Sequence, residues 1–170
     1  MGPSLMRISI IEDTRNRIGS HVAKNEYWNV TGVNVLRSKL AVGDYCLPPR
    51  ISVDSKASVQ ELAMDIDQEH DRFRRELTAA RDMGTKLVIL VENRDGIKDI
   101  GDLAAWVEPE HEFRRRKHAK RRLYGKRLAK ACLTMQDRYG CSFLFCTPEE
   151  AGARVLEILG KEAADGGNPG

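Results

Sequence analysis

Residues 42–56 read VGDYCLPPRISVDSK. Two short strand signatures, VGDYCL (42–47) and RISVDSK (50–56), flank Pro48-Pro49. Proline cannot donate to a ladder, so the pair belongs in the turn. Asp44 then stands on one strand, and Asp54 and Lys56 on the next. Side chains on a strand alternate faces, so Asp54 and Lys56 share one. Ser55 points away, but its carbonyl lies between them. Asp44 reaches the same face if the hairpin register agrees. Neither strand needs these acids for packing.

A carboxylate from each strand and the Ser55 carbonyl make an oxygen-rich partial shell. It suits a hard divalent cation such as Mg²⁺, with Mn²⁺ as a substitute, which keeps several waters and accepts a substrate phosphate. Lys56 beside it would orient water or offset charge in a transition state, which is the chemistry of phosphodiester hydrolysis. Asp13 ends the first strand, where a central parallel strand delivers its side chain to the sheet's carboxyl edge. Glu12 and Glu61 are further candidates at second rank, and Glu92 is a weaker one. A lone D-x-K on a strand is ordinarily a solvated ion pair worth about 0–1 kcal/mol. The spacing of Gly-Asp before D-x-K, followed directly by a helix, is what sets this stretch apart.

Outward from the hairpin, MRISIIE (6–12) reads as a buried strand, and Arg15 to Trp28 as a loose helix. VTGVNVLR (30–37) alternates with period two, completing an antiparallel meander with the hairpin. Ser58 to Met83 carries an apolar stripe at helical spacing (Leu62, Ile66, Phe73, Leu77, Ala80) and reads as one long helix stopped by Gly84. KLVILVE (86–92) is an unbroken apolar run, typical of a strand covered on both faces. Residues 93–112 read as loop. Lys120 to Tyr139 reads as helix, SFLFC (142–146) as strand, and PEEAGARVLEILG (148–160) as a helix closing at Gly160. The order predicts an α/β domain with a mixed central sheet flanked by helices, over residues 6–160. Residues 1–5 read as an appendage before Met6, and 161–170 as a frayed tail.

At 170 residues, 41% hydrophobic and 31% charged, the chain suits one soluble domain. Its formal net charge of +3 is too mild to imply a polyanion partner globally. Cys46, Cys132, Cys141 and Cys146 lack metal-ligand spacing and read as reduced thiols of a cytoplasmic protein. No run is long enough to span a bilayer, and no secretory signal is visible.

IEDTR (11–15), VGDYCLP (42–48), VDSKASVQELA (53–63), FRRELTAAR (73–81) and LVILVEN (87–93), in that order, resemble the nuclease domain of the XPF endonuclease family. The likeness is to the small stand-alone versions of bacteria and phages, over roughly residues 6–160. It implies a restriction-endonuclease-like fold and a Mg²⁺-dependent DNA endonuclease directed by structure rather than sequence, of the kind used in repair and recombination. By position it implies Asp13, Asp44, Asp54 and Lys56 as catalytic residues, with Asp13, Asp44, Asp54 and Ser55 on the metal. Ser55 stands where the family has Arg, and Gln60 where a trailing Asp is expected. A helix–hairpin–helix module is expected to be absent, because GIKDIG (96–101) matches it poorly. Pairing of two copies through residues 126–159 is implied as well, and would use an apolar patch including Leu156 or Leu159.

FRRRKHAKRRLYGKRLAK (113–130) is the densest charge run in the chain. Beside a phosphodiesterase site its cations would neutralise backbone phosphates, which nominates Arg115, Arg116, Lys120, Arg121, Lys126 and Arg127 as nucleic-acid contacts. The like charges would repel one another and leave 111–122 mobile without DNA. EHDRFRREL (69–77) adds Arg72 and Arg75, and Arg15 either orients Asp13 or touches phosphate. Two rivals stay open at this point: a non-catalytic DNA-binding or scaffold protein on the same fold, and a ribonuclease.

Overall fold

The apolar run predicted as a doubly covered strand forms Lys86–Glu92, buried along nearly its whole length. A computed structural model describes residues 9–40, 42–47 and 51–165. The expected strand start at 6–8, the Pro48-Pro49 turn with Arg50, and residues 1–5 and 166–170 lie outside the described residues.

The strands are β1 (Ser9–Asp13), β2 (Asn34–Ser38), β3 (Tyr45–Leu47), β4 (Ile51–Lys56), β5 (Lys86–Glu92) and β6 (Ser142–Cys146). They form one sheet in the order β2-β1-β3-β4-β5-β6. β1 pairs parallel with β2, as does β4 with β5 and β5 with β6. β3 alone runs antiparallel to both of its neighbours. The mixed α/β sheet is as expected, but the meander is not. β2 lies on the far side of β1, because α1 (Val22–Thr31) makes β1-α1-β2 a parallel crossover unit.

The reversed β3 decides where chemistry can gather. It begins at the edge of the sheet where β1 and β4 end. Asp13 closes β1, Asp54 and Lys56 close β4, and Asp44 immediately precedes β3. Three segments distant in sequence therefore deliver acids to one edge.

Alternation divides the core in two. On the front face Leu87, Ile89, Val91 and Phe143 pack with Leu62, Phe73, Leu77 and Leu128. These come from α2 (Val59–Asp67), α3 (His70–Asp82) and α6 (Gly125–Tyr139). On the back face Ile10, Tyr45, Val53, Val88 and Leu90 pack with Trp28 of α1 and with Val155 and Leu159. The latter two belong to α7 (Ala151–Asp165).

The helix expected over 58–83 is two helices. The N–H groups of Gln68 and Glu69 both turn back to the Met64 carbonyl, at 2.8 and 3.0 Å, and end α2. The stretch read as loop contains α4 (Ile100–Leu103) and α5 (Glu110–Arg115). α7 runs through Gly160 to Asp165, past the expected stop. Leu159 is buried in the protein's own core and Leu156 packs beside it, so neither offers the exposed patch expected for pairing. All four cysteines are free thiols, and no helix among the described residues is long and apolar enough to cross a membrane.

Candidate active site

Gly43 sets the geometry of the hairpin. Its φ of +79° is a left-handed conformation, and a Cβ there would meet Ser52 Oγ at 2.3 Å. With no side chain at 43, the Asp44 N–H reaches the Val53 carbonyl at 2.8 Å. The β3–β4 register ends with Tyr45 opposite Val53, so Asp44 lies against the residue that immediately precedes Asp54. The carboxyls of Asp44 and Asp54 line the same cleft. Asp44 Oδ2 also accepts the Ser55 N–H at 2.7 Å. That amide would have continued the ladder had β3 extended further.

Asp44, Asp54 and Lys56 line a cleft of about 490 Å³ between this edge and α3. Lys56 Nζ sits 2.7 Å from Asp54 Oδ2 and 2.6 Å from Asp65 Oδ2. Phe73 lies beneath it, with the ring centroid 5.3 Å away. Burial opposes the Lys56 charge, but Asp54 and Asp65 outweigh it and raise its pKa further above the ordinary lysine value. Lys56 is therefore a cation at neutral pH, which suits contact with phosphate rather than a role as a base.

The acids behave in the opposite way. Burial, and then the charge of Asp54, push the Asp44 pKa up to about 8. Burial and Asp54 likewise push Glu76, on α3, up to about 7. Glu76 lines the cleft and accepts the Gly43 N–H at 3.2 Å. The cleft floor thus holds more carboxylate than its lysine can neutralise.

Asp13 also lines the cleft, but its oxygens are engaged by Arg15. The backbone N–H reaches Oδ1 at 2.8 Å, Nε lies 3.0 and 2.8 Å from the two oxygens, and Nη2 pairs with Oδ2. Burial works against the Asp13 charge, yet these bonds prevail and lower its pKa. Of the two roles read for Arg15, orienting Asp13 is the one seen in its contacts. Among the described residues no three His, Cys, Asp or Glu side chains converge on one ion position. The oxygen groups that could take part in holding a hard cation are the Asp44 and Asp54 carboxyls and the Ser55 carbonyl, with waters completing the shell. Two neighbouring carboxyls, one held above its usual pKa by burial and then by the charge of the other, are the kind of pair a divalent ion would relieve.

Glu12 departs from its expected place. Alternation along β1 puts it on the back face, one residue away from Asp13 and pointing oppositely. There burial raises its pKa, against the influence of Arg37 and Lys24. Glu61 lines the cleft while closing the start of α2. Ser58 Oγ accepts the Glu61 N–H at 3.0 Å, and the Glu61 carboxylate accepts the Ala57 N–H at 2.6 Å, in the manner of a capping box. Ser-x-x-Glu after Lys56 was the sequence signal for that role.

The basic run is folded around a buried acid. Glu108 accepts from Arg116 Nε at 2.7 Å and Nη2 at 2.8 Å, from Leu123 N at 2.8 Å and from Gln60 Nε2 at 2.7 Å. Arg116 is therefore engaged inside the loop instead of facing a phosphate, and 111–116 is α5 and its C-cap rather than a repelling coil. Arg115, Lys120, Arg121, Lys126 and Arg127 remain exposed. Arg72 and Arg75 line the cleft. Asp65, Glu76 and Glu108 went unread as site residues. For Asp65 and Glu76 the sequence signal is helical spacing, Asp65 following Glu61 by one turn and Glu76 following Arg72 by one turn; Glu108, between α4 and α5, has none.

No protein-family model matches the chain, and no curated protein matches it in sequence. Among the solved structures that match it are two of XPF from Aeropyrum pernix, one of them in complex with DNA. They align with TM-scores of 0.63 and 0.63, at 17% and 18% identity, over 91% and 94% of this chain. The chain has an XPF-like fold. It spans 65% and 66% of the length of those XPF chains.

Proposed function

We propose that this protein is a Mg²⁺-dependent DNA endonuclease that hydrolyses phosphodiester bonds in the Asp44–Asp54–Lys56 cleft. One observation carries the reading: Asp44 and Asp54, from the two strands of the hairpin, line one cleft, with the Lys56 ammonium 2.7 Å from Asp54. An ion pair serving stability alone has no need of surplus carboxylate, since buried like charges cost free energy. The XPF-like fold, with one of its structural counterparts bound to DNA, supports nucleic acid as the substrate.

Asp44, Asp54 and the Ser55 carbonyl would hold the ion. When bound, it supplies Lewis-acid polarisation of the phosphodiester and a more acidic water. Lys56 places a positive charge where the pentavalent phosphorane builds negative charge, and Asp65 keeps that ammonium protonated and aimed. Arg15 holds Asp13 still beside the hairpin. Arg72 and Arg75, on the α3 wall of the cleft, and the exposed cations of the basic loop meet the flanking phosphates. These contacts read backbone, not bases, which favours DNA structure over sequence as the determinant.

The test is cleavage of labelled flaps, forks, junctions and duplexes with Mg²⁺, Mn²⁺ or EDTA, together with matched RNA strands. Cutting of DNA that needs metal and disappears in Asp54→Ala is the expected outcome. DNA binding without cutting by the wild type would instead support a scaffold role, and preference for RNA would support a ribonuclease.

A further inference from the structure

Behind the cleft, on the opposite face of the sheet, lies a buried charged group that the proposed chemistry does not use. Lys24 Nζ of α1 is 2.6 Å from Glu92 Oε2 at the end of β5, with both side chains less than a tenth exposed. Ser55 Oγ donates to the same oxygen at 2.9 Å. Ser55 is the residue between Asp54 and Lys56, and its own N–H holds Asp44. A buried ion pair is a poor source of stability, because desolvation offsets its attraction. Its position invites another account.

We infer that Lys24 and Glu92, acting through Ser55, are positioning residues that fix the Asp44 carboxylate of the cleft from behind. At Ser55 the β4 strand has lost one neighbour. The β3 ladder ends at the Asp44 N–H to Val53 carbonyl bond, and only the β5 ladder continues, pairing Ser55 with Leu90 and Lys56 with Val91. Among the described residues, Ser55 is bonded on the β3 side to the Asp44 carboxylate alone. Its rotation about the strand axis is therefore set by what its hydroxyl grips. Glu92 supplies that grip through a hydrogen bond to a charged acceptor, stronger than a neutral one. Lys24 pairs with Glu92 and aims it. The chain of contacts runs Lys24, Glu92, Ser55 Oγ, Ser55 N–H, Asp44. It spans the sheet because neighbouring residues of one strand face opposite ways.

This inference rests on the cleft being an ion site, and its test reads the ion directly. Mn²⁺ affinity is measured by electron paramagnetic resonance on the full chain, subtracting binding that survives Asp44→Asn/Asp54→Asn. Melting temperature is recorded alongside. In Lys24→Met/Glu92→Met both charges go and comparable volume remains, so stability is retained while Mn²⁺ affinity falls about 10-fold, as for other outer partners of metal ligands. Ser55→Ala shows the same loss, and Ser55→Thr, which keeps the hydroxyl, recovers it. Wild-type Mn²⁺ affinity in Ser55→Ala overturns the inference, whether or not the double variant folds. Binding unaffected by Asp44→Asn/Asp54→Asn overturns the ion site itself, and this inference with it.

Discussion

Lys56 and Asp65 meet at 2.6 Å, joining the end of β4 to α2. The strand by itself pairs Lys56 with Asp54, and a lysine held only there would sit among the acids as their counter-ion. Asp65 draws it partly away and leaves Asp54 with coordination capacity. Asp65→Asn is expected to let Lys56 close on Asp54. Stability should fall by about 1–3 kcal/mol, since Asp65 is buried and also pairs with Arg72. The rate of cleavage should fall in kcat rather than rise in KM, because Lys56 acts on developing charge. Urea denaturation and steady-state cleavage assays check the two halves separately.

The pH dependence follows from Asp44. Its folded pKa of about 8 lies above its ordinary value of 3.8. Between those values the folded state holds a proton that the unfolded state has released. Its contribution to stability is thus fully present below about pH 4 and is lost as pH rises to about 8. Glu76, raised to about 7, acts in the same direction. Metal-free protein in EDTA should lose melting temperature between pH 5 and 8 more steeply than Asp44→Asn does. Mg²⁺ competes with that proton, so its affinity should climb over the same interval with proton release on binding. Calorimetry in buffers of different ionisation enthalpy measures that release.

Much of the site was legible because a hairpin enforces it. Gly before Asp44, two prolines between the strand patterns and D-x-K on the return strand leave few registers, and alternation then fixes which side chains share a face. Alternation also excludes Glu12, which adjacency to Asp13 had made a candidate. The division of 58–83 was not legible, because Asp-Gln-Glu-His (67–70) contains neither Gly nor Pro to mark a stop. With the break unseen, nothing indicated that Asp65 would reach Lys56 or that Glu76 would reach the hairpin at Gly43. The inserted position of β1 was hidden for a related reason. Strand patterns report burial, and the partner of a strand is decided by the crossover through α1.

Glu108 is fully buried, and it organises the basic loop. Burial disfavours its charge, but the hydrogen bonds from Arg116, Gln60 and Leu123 prevail and lower its pKa. An acid depressed in this way stabilises the fold above its ordinary value of 4.5, and the benefit fades as pH falls. Glu108→Ala strands the Arg116 guanidinium and should cost about 3–5 kcal/mol. The matched loss in Arg116→Ala, and sub-additivity of the double variant, would be read by denaturant unfolding.

The exposed cations predict a different signature. Arg115, Lys120 and Arg121 have no internal structural role comparable to that of Arg116. Replacing all three with Ala should leave unfolding nearly unchanged. It should reduce the slope of log affinity against log salt by roughly 0.9 for each lost phosphate contact on duplex DNA, hence by about 2–3 in total. Fluorescence anisotropy with a labelled fork between 50 and 200 mM salt, the range in which such contacts dominate, gives the slope. An unchanged slope would place the DNA path elsewhere on the surface.

Gly43 offers the strictest test of the hairpin. A methyl group at this position meets Ser52 Oγ at 2.3 Å and the Val53 carbonyl at 3.1 Å, on a backbone with φ of +79°. Ser52 is buried and already bonded to the Val42 carbonyl at 2.6 Å, so it has little room to yield. Gly43→Ala should therefore cost about 1–3 kcal/mol in strain. The distortion falls on the peptide that aims the Asp44 N–H at Val53, so it should displace the Asp44 carboxylate from Asp54. Mn²⁺ affinity should then drop together with stability. Ser52→Ala in the same chain, by removing the clashing oxygen, should restore part of both. Calorimetric melting and Mn²⁺ binding on the single and double variants decide it: affinity that stays at the wild-type level while stability falls would mean that Asp44 is not placed by its glycine.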